Sequence, residues 1–528
     1  MKCTYCGTEN NNNYKFCLKC GAQLTNDVPV KTKKMKKSSK RISGKSIIVW
    51  GIVVLALVVL FNFGRNMFKQ PKFSLAETNI MKVYKEDEDQ TYILNNTSLL
   101  KNAFDGRGSY SPRNVDGTIG AFIAGNDNAE LILVCENDAM VIDDEVEDVV
   151  VSASGQYIAY LKKDGTLLIC DKEGNRSSIA DDVVIEAGTM LSPDGKCVSY
   201  VVQDEEDYIL YVYDGKKTNK IGKNLICVGL TNSAKKIYCY NIENTGLYIC
   251  SLDGDSTKLA AEVGSRFMFN ETQTELLFSS GGSWYLTMNG RDKIKISGTS
   301  NNIYPIGPDS MGYTYVYAYD YDNNTIFNIS IYGLNSLSNQ VYRESGANTL
   351  FYINEDWDKK SAGNGVDGCS FSDDGEVVFF TRNHQLYKTS ISDFGNRTLM
   401  AEEVVDFQVT SDGSAVYYTD LTDTLWYQKG IGKPKRIADD VYSLDMTHDD
   451  YALFITDYGS DSGVLYSSKN GGSKKKISDD VYYLLVRGTA AYYGVNYDKE
   501  EHMIDLYGTT KKSEFEFIIE EIEHYGRD

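Results

Sequence analysis

Histidine is scarce in this chain, and recognisable catalytic spacing is scarcer. Four His, at 384, 448, 502 and 524, are spread over 528 residues. None belongs to H-E-x-x-H or a comparable metal pattern, so each reads as a solvated or packing residue. No G-x-S-x-G occurs, which excludes the nucleophile elbow of α/β-hydrolases. Helical periodicity is nearly absent, and long apolar runs are confined to one. Basic residues also become the minority after residue 69. Of 54 Lys+Arg and 74 Asp+Glu, residues 1–69 hold 13 and 2, leaving 41 and 72 for residues 70–528, a net −31. An acidic surface of that size argues against nucleic acid and anionic polymers as partners, and leaves room for cationic ligands or divalent ions. Seven Cys lie beyond residue 69, at 135, 170, 197, 227, 239, 250 and 369. Their number is odd and most sit in apolar alternating runs, so they read as buried free thiols rather than a disulfide framework. The expectation is a binding protein, not an enzyme.

What is present is concentrated at the start. Cys3-Thr-Tyr-Cys6-Gly7 and Cys17-Leu-Lys-Cys20-Gly21 form two Cys-x-x-Cys-Gly knuckles. Four thiolates in this arrangement suit tetrahedral Zn²⁺ at about 2.3 Å, and no ligand position is left open, so the zinc is expected to be structural. Gly7 and Gly21 permit the tight turns that bring backbone N–H groups towards sulfur. A segment of roughly 24 residues buries little core of its own, so metal binding would supply most of its folding free energy. Residues 1–24 resemble the short zinc ribbon found at the N-terminus of many bacterial membrane proteins, and the resemblance implies Cys3, Cys6, Cys17 and Cys20 as ligands. Asn10 to Asn13 reads as the loop between knuckles.

The one long apolar run is Ile47 to Phe63, with thirteen Ile, Leu, Val or Phe in seventeen positions and no charge. Extended by Ser46 and Gly64, it is long enough to span a bilayer, and those thirteen residues favour insertion by roughly 4–8 kcal/mol. A cleaved signal peptide fits poorly, because 45 residues precede the run and no small-residue cleavage pattern follows it. Lys31, Lys33, Lys34, Lys36, Lys37, Lys40, Arg41 and Lys45 crowd its N-terminal side, against Arg65, Lys69 and Lys72 on the other. The positive-inside rule then places the N-terminus in the cytoplasm and the rest outside. That assignment also keeps the thiolates in a reducing compartment. Residues 25–45 are thus a basic linker and topology determinant, 46–64 a transmembrane helix, and 65–89 a stalk.

From residue 90 on, a period of about 39 residues governs the chain. Ser152-Ala-Ser-Gly155, Ser192-Pro-Asp-Gly195, Ser372-Asp-Asp-Gly375 and Thr410-Ser-Asp-Gly413 each precede an alternating apolar run. Degenerate copies fall near Lys235, Thr274 and Asp450. A second marker runs in phase: Ile179-Ala-Asp-Asp-Val183, Met400-Ala-Glu-Glu-Val404, Ile437-Ala-Asp-Asp-Val441 and Ile477-Ser-Asp-Asp-Val481. Each unit reads as four short strands; in the first these are Tyr157–Leu161, Thr166–Cys170, Arg176–Ile179 and Val184–Leu191. Many such units in series make an all-β propeller. The Ser-Pro-Asp-Gly turn resembles the repeat of Tol-type periplasmic propellers and of prolyl-oligopeptidase propeller domains, which implies fold and not activity.

The marker spacing predicts one ring of eight to ten blades over residues 90–528, with two smaller propellers as the alternative. The last unit, from Ala490, reads as lacking its own fourth strand, which residues 90–120 would supply. The interval between Gly312 and Gly375 exceeds the period and predicts an exposed insertion at Leu334 to Val366. Glu514 to Glu523 reads as a closing strand or a capping helix. Asp320-Tyr-Asp322-Asn-Asn324 has calcium-loop alternation without the Gly and the distal Glu, and reads as a hairpin turn. Asp356-Trp-Asp358 is a weak ligand-contact candidate. Asp181, Asp182, Asp439, Asp440, Asp479 and Asp480 read as turn residues rather than acid/base pairs. The expected function is a single-pass membrane protein for binding or sensing. Its exterior propeller would engage a ligand, an envelope component or a protein, and its zinc ribbon a cytoplasmic protein. An envelope enzyme acting on peptide or glycan is the alternative, predicting clustered acidic side chains in the channel; an assembly scaffold is a third.

Overall fold

The computed structural model describes residues 80–523 apart from 101–102, 107–113, 115–117, 126–128, 136–137, 185–186, 206, 292, 299–300, 307–313, 322–324, 335–336, 338–339, 355, 460, 488–489 and 511–513. The zinc knuckles, the basic linker, the 46–64 span and most of the 65–89 stalk lie outside the described residues. Among the described residues, no helix is long and apolar enough to cross a membrane.

These residues form eleven sheets in chain order, numbered here as blades 1 to 11: 80–105, 119–143, 146–180, 190–223, 225–260, 263–297, 303–305 with 340–363, 368–401, 404–438, 441–481 and 483–523. Outside blades 1, 6 and 7, strands within a blade follow sequence order and each pairs antiparallel with the next. The first strands of neighbouring blades lie against one another, as Ile119–Ala124 does on Val146–Val151 and Val404–Val409 on Val441–Met446. In a radial arrangement the edge where neighbours converge is the axial one, so the first strand is innermost in these blades; at the closing seam the first strand of blade 1, Ile80–Lys85, instead lies against the last strand of blade 11, Glu516–Glu523.

Apolar clusters join each blade to the next without a break. Phe104 packs with Phe122 between blades 1 and 2, and Leu133 with Val149 and Tyr160 between 2 and 3. A single large cluster carries packing through blades 3 to 6. Further clusters join 6 to 7, 7 to 8, 8 to 9, 9 to 10 and 10 to 11. The last cluster unites Ala490, Tyr492, Ile504 and Ile522 of blade 11 with Val83 and Leu94 of blade 1. The Tyr492 hydroxyl donates to the Asn96 carbonyl at 2.6 Å across that seam. The sheets therefore close into one eleven-bladed ring, and the two-propeller alternative is set aside.

Several expectations are corrected. The ring holds eleven blades rather than eight to ten, because blade 1, opening with Ile80–Lys85, stands ahead of the recognised markers and inside the segment assigned to the stalk. Blade 11 has four strands of its own, ending in Glu516–Glu523. Closure thus comes from side-chain packing, not from a strand lent by residues 90–120, which belong to blades 1 and 2. The sequence unit is also out of phase with the blade. Arg176–Ala180 ends blade 3, whereas Met190–Leu191 is the innermost strand of blade 4.

The insertion is displaced too. Within Leu334 to Val366, Gln340–Glu344, Thr349–Ile353 and Lys359–Gly363 are regular strands of blade 7. The extra material precedes them as a hairpin, Thr314–Tyr321 with Thr325–Leu334. Its second strand pairs in parallel with the first strand of blade 6, from Arg266↔Ser330 to Asn270↔Leu334. That strand is axial, so the hairpin extends blade 6 towards the ring axis. Tyr321 pairs with Thr325 at its tip; of the sequence expected as a hairpin turn, Asp320 and Tyr321 end the first strand, and 322–324 lie outside the described residues.

Candidate interaction face

The two sequence markers are two ring-building devices at opposite ends of the strands. The Ser/Thr-x-x-Gly turn joins first and second strands. Ser152, Ser192, Ser372 and Thr410 each accept, through the side-chain hydroxyl, the N–H five residues on, at 3.0–3.1 Å. Thr231 does the same, Asn114 accepts the N–H five residues on through its carboxamide oxygen, and Thr447 accepts the one four residues on. Such local bonds satisfy backbone donors that the turn leaves open. The glycines have positive φ, +75° at Gly195 and +62° at Gly413. A Cβ at Gly195 would lie 2.6 Å from the Tyr157 Cβ of the preceding blade, and one at Gly413 would lie 2.8 Å from that of Val377. Turn touches turn from blade to blade: Ser154 N–H donates to the Pro193 carbonyl and Ser411 N–H to the Asp450 carboxylate.

The acidic marker builds the other face. Asp182, Glu403, Asp440 and Asp480 all adopt φ between 52° and 60°. This left-handed residue turns the chain from one blade into the next. The following valine donates its N–H back to a hairpin of the blade just completed: Val183 to Gly165, Val404 to His384 and Val441 to Asp423. The acidic pairs are thus turn residues.

Immediately after Val404 and Val441, and after Val146 at the start of blade 3, the first strand bulges. A bulge inserts a residue and re-aims its side chain. The bulged residues are Glu147, Val405 and Tyr442, all exposed, Tyr442 at 65 % and Val405 at 53 %. The hairpins joining second to third strands end on this same face. Tyr458, from the blade 10 hairpin, stacks on Tyr442 at 3.9 Å between centroids and 9° between planes. In blade 11, Tyr482 stacks on Tyr497 at 3.8 Å and 15°. The Tyr458 hydroxyl donates to the Tyr482 carbonyl at 3.3 Å, joining the two stacks across the blade boundary. Tyr497 Oη lies 2.9 Å from His502 Nδ1. Burial, then a hydrogen bond with Tyr497, push the Tyr482 phenol up to about 12. Sequence reading missed this cluster; the signal was present, since Tyr442 and Tyr482 occupy the position after the marker valine.

The other candidates do not converge. His384 Nδ1 lies 3.2 Å from the Val404 carbonyl in blade 9, and His448 pairs with Asp373 at 3.3 Å; His524 lies outside the described residues. Asp356 and Asp358 are exposed on a hairpin in which Asn354 accepts the Asp358 N–H. The axial strands contribute Asp148 from blade 3, Asp406 from blade 9 and Asp445 from blade 10. Burial lifts the carboxyl of Asp148 to about 6 and raises that of Asp406. Among the described residues, no group of three or more His, Cys, Asp or Glu is placed to hold a metal. The seven cysteines beyond residue 69 are free thiols, five of them buried. Burial pushes Cys170 and Cys197 to about 11 and Cys227 to about 12, which keeps them protonated and unreactive.

Fold and site define an all-β propeller that follows a zinc-ribbon segment. A zinc-ribbon domain model matches residues 2–24, a span that contains Cys3, Cys6, Cys17 and Cys20. No curated protein matches the chain. Among solved structures the chain is similar to a eukaryotic initiation factor, at 11 % identity and TM-score 0.34, over 78 % of this chain and 96 % of that one. It is also similar to the tricorn protease (10 %, TM-score 0.28, 83 % of this chain and 58 % of that one). TolB from Acinetobacter baumannii aligns at 13 % identity and TM-score 0.27, over 41 % of this chain and 62 % of that one. Overlaps of this size carry no functional argument.

Proposed function

We propose that this chain is a membrane-anchored interaction scaffold. The apolar run at 46–64 anchors it, the zinc ribbon faces the cytoplasm and engages a protein there, and the propeller presents a binding face outside. One observation carries the reading: a ring closed by packing at every seam is a stiff platform, and one of its faces carries an aromatic cluster in which Tyr442 is exposed and Tyr458, Tyr482 and Tyr497 are half-buried. Exposed aromatic clusters on rigid scaffolds favour recognition, because the rings lose little conformational freedom on binding. Structural zinc at Cys3, Cys6, Cys17 and Cys20 would hold the short ribbon folded, so its surface would be available only with metal bound. The flanking lysines support the orientation.

The test uses the full chain in its native membrane. Protease added to intact cells is expected to degrade the propeller and spare the ribbon, and cross-linking from the ribbon is expected to capture a cytoplasmic protein that a Cys17→Ser variant loses. A propeller protected in intact cells, or capture unchanged in Cys17→Ser, would refute the reading.

A further inference from the structure

The tyrosine cluster across blades 10 and 11 has a chemistry that selects its partner. Tyr442, Tyr458, Tyr482 and Tyr497 form two parallel stacks joined by the Tyr458 hydroxyl on the Tyr482 carbonyl, so one aromatic cluster crosses the blade boundary, with Tyr442 exposed and the other three half-buried. Within four residues of these tyrosines along the chain lie Asp440, Asp457, Asp480, Asp498, Glu500 and Glu501, all exposed. The rim lysine Lys499 is already engaged by Asp461. Carboxylates beside π faces attract cations twice over, through charge and through the ring quadrupole.

The same chain already uses this pairing within its blades. At the outer edges, a cation in the fourth strand or the residue just before it covers an aromatic ring of the third. Lys258 lies over Tyr248 at 5.6 Å, Lys293 over Tyr285 at 5.1 Å, Arg397 over Tyr387 at 5.2 Å and Lys474 over Tyr466 at 4.4 Å. On the stacked face, Tyr442 is instead 65 % open to solvent.

We infer that this face docks an extended, lysine- or arginine-rich polypeptide segment, whose cations cover the rings as the chain's own cations do at the blade edges. A polypeptide fits better than a small cation because the aromatic surface crosses two blades, and a lone ammonium would cover a single ring. The charge of the propeller part, −31 over residues 70–528, is complementary to such a partner. The inference rests on the scaffold reading and names the partner class of its exterior face.

The test is fluorescence anisotropy on the full-length purified chain with a labelled dodecapeptide of alternating lysine and proline, against its glutamate–proline counterpart. The lysine peptide is expected to bind, with affinity falling as salt rises, and the glutamate peptide not to bind. Tyr442→Ala should weaken binding about fivefold, and Tyr442→Phe should preserve it. Asp457→Asn with Asp498→Asn should weaken binding and flatten its salt dependence. Equal binding of the two peptides, or full affinity in Tyr442→Ala, would overturn the inference. So would an oligosaccharide that binds at Tyr442 in place of the lysine peptide, or self-association of the chain that Tyr442→Ala abolishes. Failure here leaves the cross-linking test of the scaffold untouched, so the two readings fall separately.

Discussion

On one face of the ring, Gly195 and Gly413 let successive hairpins approach to distances that no side chain tolerates. On the other, bulges after Val146, Val404 and Val441 push Glu147, Val405 and Tyr442 out into solvent. Both faces repeat a short motif at the same period, yet the first is closed upon itself and the second is left open. The difference shows where this architecture permits change. Turn contacts from blade to blade fix the ring's geometry, whereas a bulged position carries whatever residue the sequence places there.

The severest way to break that contrast is to crowd the closed face. Gly195→Ala combines a left-handed backbone, φ +75°, with a Cβ 2.6 Å from the Tyr157 Cβ. Backbone strain of roughly 1–2 kcal/mol and overpacking of roughly 1–3 kcal/mol add to an expected loss of about 3 kcal/mol in chemical denaturation. A loss below about 1 kcal/mol would mean that the turn shifts to absorb the methyl, and that the closed face is looser than its distances imply.

The axial edge belongs to neither face and is probed by pH. Burial raises the Asp148 carboxyl from 3.8 to about 6, so the folded state disfavours the charged form. Stability at this position is then full below the unfolded value, falls as pH rises from about 4 to about 6, and stays reduced above that. Asp148→Asn keeps an acceptor for the Val149 N–H and removes the charge. It is expected to stabilise the chain by about 2 kcal/mol at neutral pH and to change nothing near pH 3.5, as read by denaturation at the two pH values. A stabilisation equal at both would trace to packing rather than ionisation.

A milder probe of the closed face is Ser372→Ala. Ser372 Oγ accepts the Val377 N–H at 3.0 Å and donates to Asp374 at 2.6 Å, and the residue is fully buried. Loss of these bonds should cost about 1 kcal/mol, measurable as a shift in the denaturation midpoint at constant slope.

How much of this was legible in the sequence divides along the same line. The Ser-x-x-Gly turns were legible because each needs a hydroxyl acceptor and a glycine with positive φ at fixed spacing, and residue type reports both needs directly. The degenerate turns at 231–236 and 447–451 keep the hydroxyl acceptor but carry no glycine, with Ala234 and Asp450 at positive φ instead. Blade 1 escaped, since its third position is divided into Ser98–Leu99 and Phe104–Asp105 and carries no marker. Seam packing escaped as well: closure depends on Val83 meeting Tyr492, a contact between chain ends that no local pattern announces. The blade phase was misread because a repeat fixes a period without saying which strand is axial. The bulges escaped because a bulged Tyr442 is indistinguishable in sequence from a paired strand residue.

The open face is probed last, with the smallest expected effect on stability. Tyr442 stacks on Tyr458 but stands 65 % exposed on an extra residue that opposes no partner in the neighbouring strand. Its removal opens no interior cavity and breaks no backbone pairing. Tyr442→Ala is therefore expected to change stability by no more than about 0.5 kcal/mol, the range of a surface substitution, with at most a further few tenths from the lost ring contact. A drop of about 2 kcal/mol would show that the stack braces the boundary between blades 10 and 11, making the rings structural struts. A null effect on folding, set beside the loss of peptide affinity in the same variant, would leave recognition as what the exposed ring does.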